Sequence, residues 1–403
     1  MRRNGRRYLS VFCIAAMGLA VVLESQQAPD AAAYRERSRQ YSANVEKTGL
    51  AQPFKGITTN GTLQPGLFEI RSTGIFTVPV RSAADACLAS LTPEQRTRVL
   101  FPIDDEEWRK WANPHIYFRQ GVSFEEMSAA QRDAAIAMLS ASLSAKGLKL
   151  TRDIMHLNET LGELNNNNFV EYGEFKYWIT MMGQPSTTEP WGWQLDGHHL
   201  NVNYFVLGDQ VVMTPAFWGS EPTVAKAGKY AGTVILQDEQ NKGLALVRAL
   251  TPDQQRHAVL ETAKKGNNIL AQAFSDNVVL DYAGVRVSSF SAAQKRQLLD
   301  LVGLYVGNLR DAHAKVHLAD VEKRLDDTWF AWIGGTEDNS VYYYRVHSPV
   351  VLIEFDHETP VGLRHINPPG VPNREHVHAV VRTPNGNDYG KDLLRLHYQQ
   401  HPH

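Results

Sequence analysis

Two stretches decide the fold of this chain: Val350-Val351-Leu352-Ile353-Glu354-Phe355 and Glu375-His376-Val377-His378-Ala379-Val380-Val381. Both contain apolar, β-branched runs of strand length, and the segment between them is rich in the His, Pro and Gly residues that bound strands. They predict a β-hairpin with a long loop. Because alternate residues of a strand face the same side, His376 and His378 project together, and Glu354 is expected near their level. A carboxylate beside two imidazoles indicates a metal or acid–base site.

Short motifs of the first half of the chain recur in the second half. Leu91-Thr92-Pro93-Glu94-Gln95 returns as Leu250-Thr251-Pro252-Asp253-Gln254, and Ser128-Ala129-Ala130-Gln131 returns as Ser291-Ala292-Ala293-Gln294. Each motif has the spacing of a capping box at a helix N-terminus. The recurrence predicts an α+β fold of two internally duplicated halves. Each half contains helices followed by an antiparallel strand meander, and the halves are expected to pack about a pseudo-twofold axis.

Four segments follow from this interpretation. Residues 1–33 are expected to form a signal peptide and residues 34–60 a polar, lightly ordered lead-in, followed by a first α+β repeat at 61–230 and a second at 231–403. The two repeats are expected to form one compact unit. The last meander connection is short in the first half but grows to residues 356–375 in the second, and loops of this length are often functional.

The N-terminus has the pattern of an export signal. Four arginines fall within the first seven residues, an apolar run extends from Tyr8 to Leu23, and Ala31-Ala32-Ala33 offers a small-residue cleavage site. The run is shorter than the roughly 20 residues of a membrane span. We therefore expect an exported, periplasmic protein, with membrane attachment only if this segment is not cleaved. Cys87 is the sole cysteine beyond this segment, which excludes an intramolecular disulfide in the mature chain.

Composition and motifs exclude several classes of function. The chain has 41 basic and 43 acidic residues and a formal net charge of −2 at pH 7. It has no basic stripe with interleaved aromatic residues, so nucleic acid is not expected as a partner. The sequence also lacks a phosphate loop, a dinucleotide fingerprint, a nucleophile elbow and a His-Glu-x-x-His helix, which disfavours the enzyme classes that these motifs mark.

A second group of histidines lies in the first half. The stretch Trp191-Gly192-Trp193-Gln194-Leu195-Asp196-Gly197-His198-His199 contains an Asp-Gly pair that predicts a tight turn. The strand after it, from His199 to Tyr204, is expected to have one polar and one apolar face. If equivalent strands pack near the pseudo-twofold axis, this turn comes to lie against the hairpin of the second half.

Together these residues predict one metal site. The expected metal ligands are His198, His199, Glu354, His376 and His378, and the expected catalytic residues are Glu354, His376 and His378. Two or three imidazoles with one carboxylate meet the minimum for a catalytic zinc-type site with a position left for water. Such ligands suit one transition-metal ion, and zinc, copper and iron all remain open.

Several of these motifs also occur together in a known family. They are the Asp-Gly-His-His segment after a Trp-rich stretch, the strand that ends in Ile-Glu, and His-Val-His followed by Arg382-Thr383-Pro384 and Asn387-Asp388-Tyr389-Gly390. With them the chain resembles a family of exported bacterial proteins classed as a domain of unknown function. The likeness extends over most of the chain after about residue 35. Because no reaction is attached to the family, the resemblance supports the site residues and not a chemistry.

Two classes of function remain open. The first is an exported metal-dependent enzyme of unknown reaction, with a His/Glu site on the second hairpin and a small-molecule ligand. The second is a non-catalytic periplasmic protein that binds a metal or a small ligand. A substrate-sized cavity beside an open coordination position favours the enzyme, whereas a closed four-ligand shell favours the binding protein.

Overall fold

A computed structural model describes residues 30–401 of the chain. The predicted signal peptide lies outside the described residues up to residue 29, as do residues 402 and 403. Between residues 30 and 401, no helix combines the length and the apolar character that a membrane span requires. The segment expected to be a lightly ordered lead-in contains a 19-residue helix, Ala31–Gly49, whose N-cap is Asp30.

Ten α-helices form within residues 30–401. They are α1 (Ala31–Gly49), α2 (Val78–Ser90), α3 (Pro93–Val99), α4 (Ala129–Ser142), α5 (Ala145–Leu164), α6 (Gln237–Ala249), α7 (Pro252–Ala258), α8 (Ala292–Val306), α9 (Asp311–Lys323) and α10 (Lys391–Gln400). The repeated motifs start four of them, with Thr92, Ser128, Thr251 and Ser291 as the N-caps of α3, α4, α7 and α8. Each cap forms both hydrogen bonds of a capping box with a glutamine three residues later, so these predicted helix starts are confirmed.

The strands of the described chain form one large mixed sheet. They are β1 (Leu100–Phe101), β2 (Val122–Ser123), β3 (Tyr177–Met182), β4 (Trp191–Gly197), β5 (Leu200–Leu207), β6 (Gln210–Val212), β7 (Ala216–Ser220), β8 (Val259–Glu261), β9 (Val285–Arg286), β10 (Trp329–Gly334), β11 (Tyr342–His347), β12 (Leu352–His357) and β13 (Val377–Arg382). Their order is β1-β3-β4-β5-β7-β13-β12-β11-β10-β8, with β2, β6 and β9 added beside β3, β5 and β10. Only β1 with β3 and β8 with β10 pair in parallel. The α+β class is confirmed.

The predicted hairpin is present, and β7 extends it toward the first half of the chain. Strands β12 and β13 pair antiparallel, with Glu354 opposite Val380 and Asp356 opposite His378. Strand β13 also pairs antiparallel with β7, where His378 lies opposite Gly219. This second pairing joins the strands of the two halves into a single sheet.

The tight turn between β4 and β5 lies two residues later than the sequence predicts. Gly197 pairs with Leu200, so His198 and His199 are the turn residues. Asp196 and Gly197 stay extended because they also pair with β3. His199 takes up the left-handed conformation, with φ of +61°. The expected polar face of β5 is also not at a surface, since every residue of β5 is buried.

The two faces of the sheet are covered by different kinds of structure. Successive strand residues point to opposite faces, so neighbouring residues of β7 enter different cores. Trp218 packs in the larger core with Tyr305 of α8, on what we call the helix face. Phe217 packs in the smaller core with Trp111 from an irregular segment, on what we call the loop face.

A buried ionic network on the loop face accounts for the Asn-Asp-Tyr-Gly motif. Asp276 accepts hydrogen bonds from Arg109 (2.9 Å), Arg382 (2.7 Å) and the Tyr389 hydroxyl (2.9 Å). Arg382 also donates to Asp388 at 2.8 Å, and neither side chain is exposed. Buried charges are tolerated when they are paired and hydrogen-bonded in this way. The motif therefore fixes the end of β13 to the segment before α10.

Replacing Asp276 tests the importance of this network. Asp276→Ala leaves two buried guanidinium groups short of a partner, and we expect the free energy of unfolding to fall by about 3–5 kcal/mol. Asp338→Ala is the control, because Asp338 is 86% exposed and pairs with Arg248 at the surface. Such pairs contribute little. Urea denaturation of both variants measures the difference, and equal losses would contradict a special role for Asp276.

Candidate metal centre

Three histidines from distant parts of the chain form one cluster. His199 occupies the turn between β4 and β5, His376 directly precedes β13, and His378 lies within β13. The Nε2 atom of His376 lies 3.2 Å from Nε2 of His199 and 2.9 Å from Nε2 of His378. One nitrogen of each ring lies within 4.8 Å of the other two. The side chains are buried, with exposures of 5%, 2% and 7% in sequence order.

Hydrogen bonds on the outer side orient two of these rings. Nδ1 of His376 lies 2.7 Å from the carbonyl oxygen of Thr359, which can only accept, so this nitrogen carries the proton. Nδ1 of His378 lies 3.3 Å from a carboxylate oxygen of Glu358, which favours a proton on that nitrogen too. Neutral rings held in this way present unprotonated Nε2 atoms to each other across the 2.9 Å gap.

Two facing lone pairs repel each other unless a proton or a cation lies between them. Burial and the neighbouring His378 lower the pKa of His376, which favours the neutral ring and disfavours the proton. Two ligand nitrogens on a tetrahedral ion at 2.0–2.1 Å are separated by about 3.3 Å. The separations of 3.2 Å and 2.9 Å are close to that value. The three histidines therefore fit the requirements of a transition-metal ion.

Two buried carboxylates that sequence analysis missed lie around the cluster. Glu358 is 4% exposed, and one of its carboxylate oxygens lies 3.3 Å from Nδ1 of His378. Glu221 approaches Nδ1 of His376 at 3.8 Å and accepts hydrogen bonds from the amides of residues 361–363. Carboxylates beside two of the three rings favour a cation at the centre. Glu358 directly follows β12, so the hairpin pattern, extended past the strand end, contains the signal for it.

Glu354, the predicted carboxylate ligand and catalytic residue, has other partners in the structure. Its carboxylate accepts hydrogen bonds from the amides of Leu270 (3.1 Å) and Ala271 (2.8 Å) and from the Tyr343 hydroxyl (2.5 Å). The register places it opposite Val380, two positions along the strand from the residue opposite His378. These contacts fix an irregular segment to the sheet. A role for Glu354 in metal binding or catalysis stays a prediction.

His198, also predicted as a ligand, lies beside the cluster. Its ring stacks on that of His199, with 4.0 Å between the ring centroids, and its Nδ1 lies 2.8 Å from Oδ1 of Asn158. Burial, together with the neighbouring His115 and Arg119, lowers the pKa of His198 well below its usual value. The ring is therefore neutral and supports His199 from behind.

Asn113 is a further neighbour that the sequence did not reveal. Its Nδ2 lies 3.4 Å from Nε2 of His378, and its carbonyl oxygen accepts a hydrogen bond from the amide of His199 at 3.3 Å. Arg119 holds the segment that carries Asn113 by donating to the carbonyls of Pro114 (3.1 Å) and Tyr117 (3.0 Å). This segment approaches the cluster only through tertiary packing, so no sequence pattern marks it.

A large cavity lies next to the cluster. It has a volume of 860 Å³, and the residues that line it include Tyr34, Arg39, Asn158, Trp178 and His198. Because His198 stacks on His199, one imidazole ring separates this cavity from the three-histidine cluster. The volume lies within the range of roughly 300–1,000 Å³ that is typical of small-molecule sites.

The fold and the site define an α+β protein with a buried three-histidine cluster that could hold a metal ion. The family described as "Protein of unknown function (DUF3500)" matches residues 74–391, and the chain belongs to this family. The predicted resemblance to a domain of unknown function is thereby confirmed. No curated protein and no solved structure matches the chain. The three clustered histidines all lie within the matched residues.

Matched substitutions separate the roles of the two glutamates. Glu358→Gln removes the charge behind His378, and we expect the affinity for Zn²⁺ to fall by about 10–100-fold. Glu354→Gln places an amide group against hydrogen-bond donors, and we expect a loss of about 1–3 kcal/mol in stability with unchanged affinity for Zn²⁺. Zn²⁺ titration and urea denaturation measure the two effects. Weaker Zn²⁺ binding in Glu354→Gln alone would restore Glu354 as a ligand.

Proposed function

We propose that this protein is a metal-dependent enzyme that holds one transition-metal ion between His199, His376 and His378. The observation that carries the proposal is the convergence of three Nε2 atoms, two of which lie 2.9 Å apart. Three imidazoles leave one position of a tetrahedral ion for water or substrate. An ion held in this way acts as a Lewis acid and lowers the pKa of a bound water.

The residues around the three histidines orient the imidazole rings. The Thr359 carbonyl and the Glu358 carboxylate hold Nδ1 of His376 and His378, as partners of metal-binding histidines commonly do. Glu221 places a second buried carboxylate 3.8 Å from Nδ1 of His376. Together they keep the Nε2 atoms unprotonated and directed at one point. The donor set suits zinc, copper or iron.

The cavity beside His198 supports an enzyme over a binding protein. Its 860 Å³ would accommodate a small organic molecule on the other side of the His198 ring from the three histidines. The alternative, a non-catalytic protein that captures a metal or small ligand, requires a closed shell. Asn113 is the residue that would close it through its side-chain oxygen, because its amide group lies beside the cluster, with Nδ2 at 3.4 Å from Nε2 of His378. A fourth protein ligand at this position would favour the alternative.

The proposed location is the periplasm. The N-terminal basic and apolar pattern supports export, and the near-balanced charge argues against nucleic acid as a partner. Membrane attachment is part of the proposal only if the N-terminal segment is not cleaved. Fractionation of the native cells and N-terminal sequencing of the recovered protein distinguish these cases, and a cytoplasmic protein with an intact N-terminus would contradict export.

We also propose the internal duplication and the pseudo-twofold packing. The order of the strands is mirrored about the β7–β13 pair, since each half ends in a parallel pair at the sheet edge. Thr92 and Thr251 cap equivalent short helices, and Tyr204 and Phe355 lie on β5 and β12. Superposition of residues 80–220 on 240–395 tests the idea, and mismatched helices or strands would contradict it.

Removing the metal ligands tests the proposed function. His376→Ala combined with His378→Ala removes two of the three nitrogens, and we expect stoichiometric metal in the wild type and none in this variant. Elemental analysis of protein purified from its native compartment measures the metal. Circular dichroism checks that the variant is folded. A folded variant that retains the metal would end the proposal.

Two control variants sharpen this experiment. His347→Ala removes a histidine that is equally buried, at 1% exposure, on the neighbouring strand β11. His198→Ala removes the ring that stacks on His199 but whose Nδ1 faces Asn158. Both are expected to keep stoichiometric metal. Loss of the metal from His198→Ala would make His198 a ligand, as the sequence predicted.

A further inference from the structure

A second cavity lies on the opposite face of the sheet from the three histidines. It has a volume of 310 Å³, and its apolar lining includes Val211, Met213, Leu309, Val316 and Val351. Trp218 of β7 also lines it, whereas the preceding residue, Phe217, contacts the His378 ring on the loop face. The cavity is therefore separate from the candidate metal centre.

A buried histidine of α9 lines this cavity. His313 is 2% exposed, and its Nε2 has no partner among residues 30–401. His317, one helical turn later, differs because its Nε2 bonds to the carbonyl oxygen of Val211 at 2.7 Å. A buried polar atom left without a partner costs about 1–3 kcal/mol. A ligand bound in the cavity would supply that partner.

The charges at the cavity indicate an uncharged occupant. Most of the charged side chains that line the cavity are paired. The pairs are Arg71 with Asp320 (2.7 Å) and with Glu69 (3.5 Å), Lys323 with Asp320 (2.9 Å), and Arg382 with Asp276 (2.7 Å) and with Asp388 (2.8 Å). Burial, followed by the charges of His317 and Arg310, lowers the pKa of His313 to about 4, so its ring is neutral near pH 7. A neutral imidazole offers one nitrogen to a donor or an acceptor without demanding an opposite charge.

We propose that this cavity is a binding site for a small, uncharged organic molecule with an apolar body and one hydroxyl or carbonyl group. The apolar body packs against the valine and leucine side chains, and the polar group bonds to Nε2 of His313. The volume of 310 Å³ is near the lower limit of roughly 300 Å³ for ligand pockets. The occupant is therefore the size of a single substituted ring or a short chain.

Phenol and toluene are matched probes for this site, because they differ by a hydroxyl in place of a methyl group. Titration calorimetry of the full-length protein is expected to show phenol binding about tenfold more tightly than toluene, the ratio for one net hydrogen bond of about 1.4 kcal/mol. His313→Leu removes the partner nitrogen and is expected to abolish this preference while toluene still binds. His257→Leu, a substitution at an exposed ring of α7, is expected to keep it.

A second variant covers the case in which His313→Leu does not fold. Val316→Phe fills the cavity and is expected to abolish binding of both probes. The variant that lacks His376 and His378 is expected to bind phenol as the wild type does, which separates this proposal from the metal proposal. Failure of the wild type to bind either probe would overturn the site. An unchanged preference in folded His313→Leu would overturn the role of His313.

Discussion

The antiparallel pairing of β7 with β13 is the interaction on which the rest of the structure depends. It joins strands from the two halves of the chain and brings the β4–β5 turn beside the final hairpin. Gly219 is its central residue, because it lies opposite His378 and donates its amide hydrogen to the carbonyl oxygen of His199 at 2.8 Å. A Cβ atom there would lie 2.5 Å from the carbonyl oxygen of Val377. Close backbone approach at this glycine therefore sets the spacing of the three histidines.

Local patterns in the sequence were sufficient to predict the helix starts, the hairpin and the shared orientation of His376 and His378. Capping boxes and strand alternation depend on residues a few positions apart, so they can be recognised without tertiary information. The approach of His199 followed from the assumption that equivalent strands lie near an axis. That assumption correctly placed His199 beside His376 and His378, but it did not give the distance between the rings.

What sequence analysis missed depends on register and tertiary packing. The hairpin pattern could not show that Asp356, and not Glu354, lies opposite His378, because a shift of two residues preserves the same faces. The turn falls at His198 and His199 because pairing with β3 keeps Asp196 and Gly197 extended. Glu221 and Asn113 come from segments whose sequence carries no metal-binding pattern. Their positions follow only from the folded chain.

The position of the cluster bears on the stability of the folded chain. His199 and His376 are 177 positions apart, and Cys87, the cysteine among the described residues, forms no disulfide. An ion held by both histidines would act as a reversible cross-link that closes a very long loop. In the chain-entropy model a covalent link across about 100 residues stabilises by roughly 4.7 kcal/mol. The metal would then cross-link this chain in the way that disulfides cross-link many exported proteins.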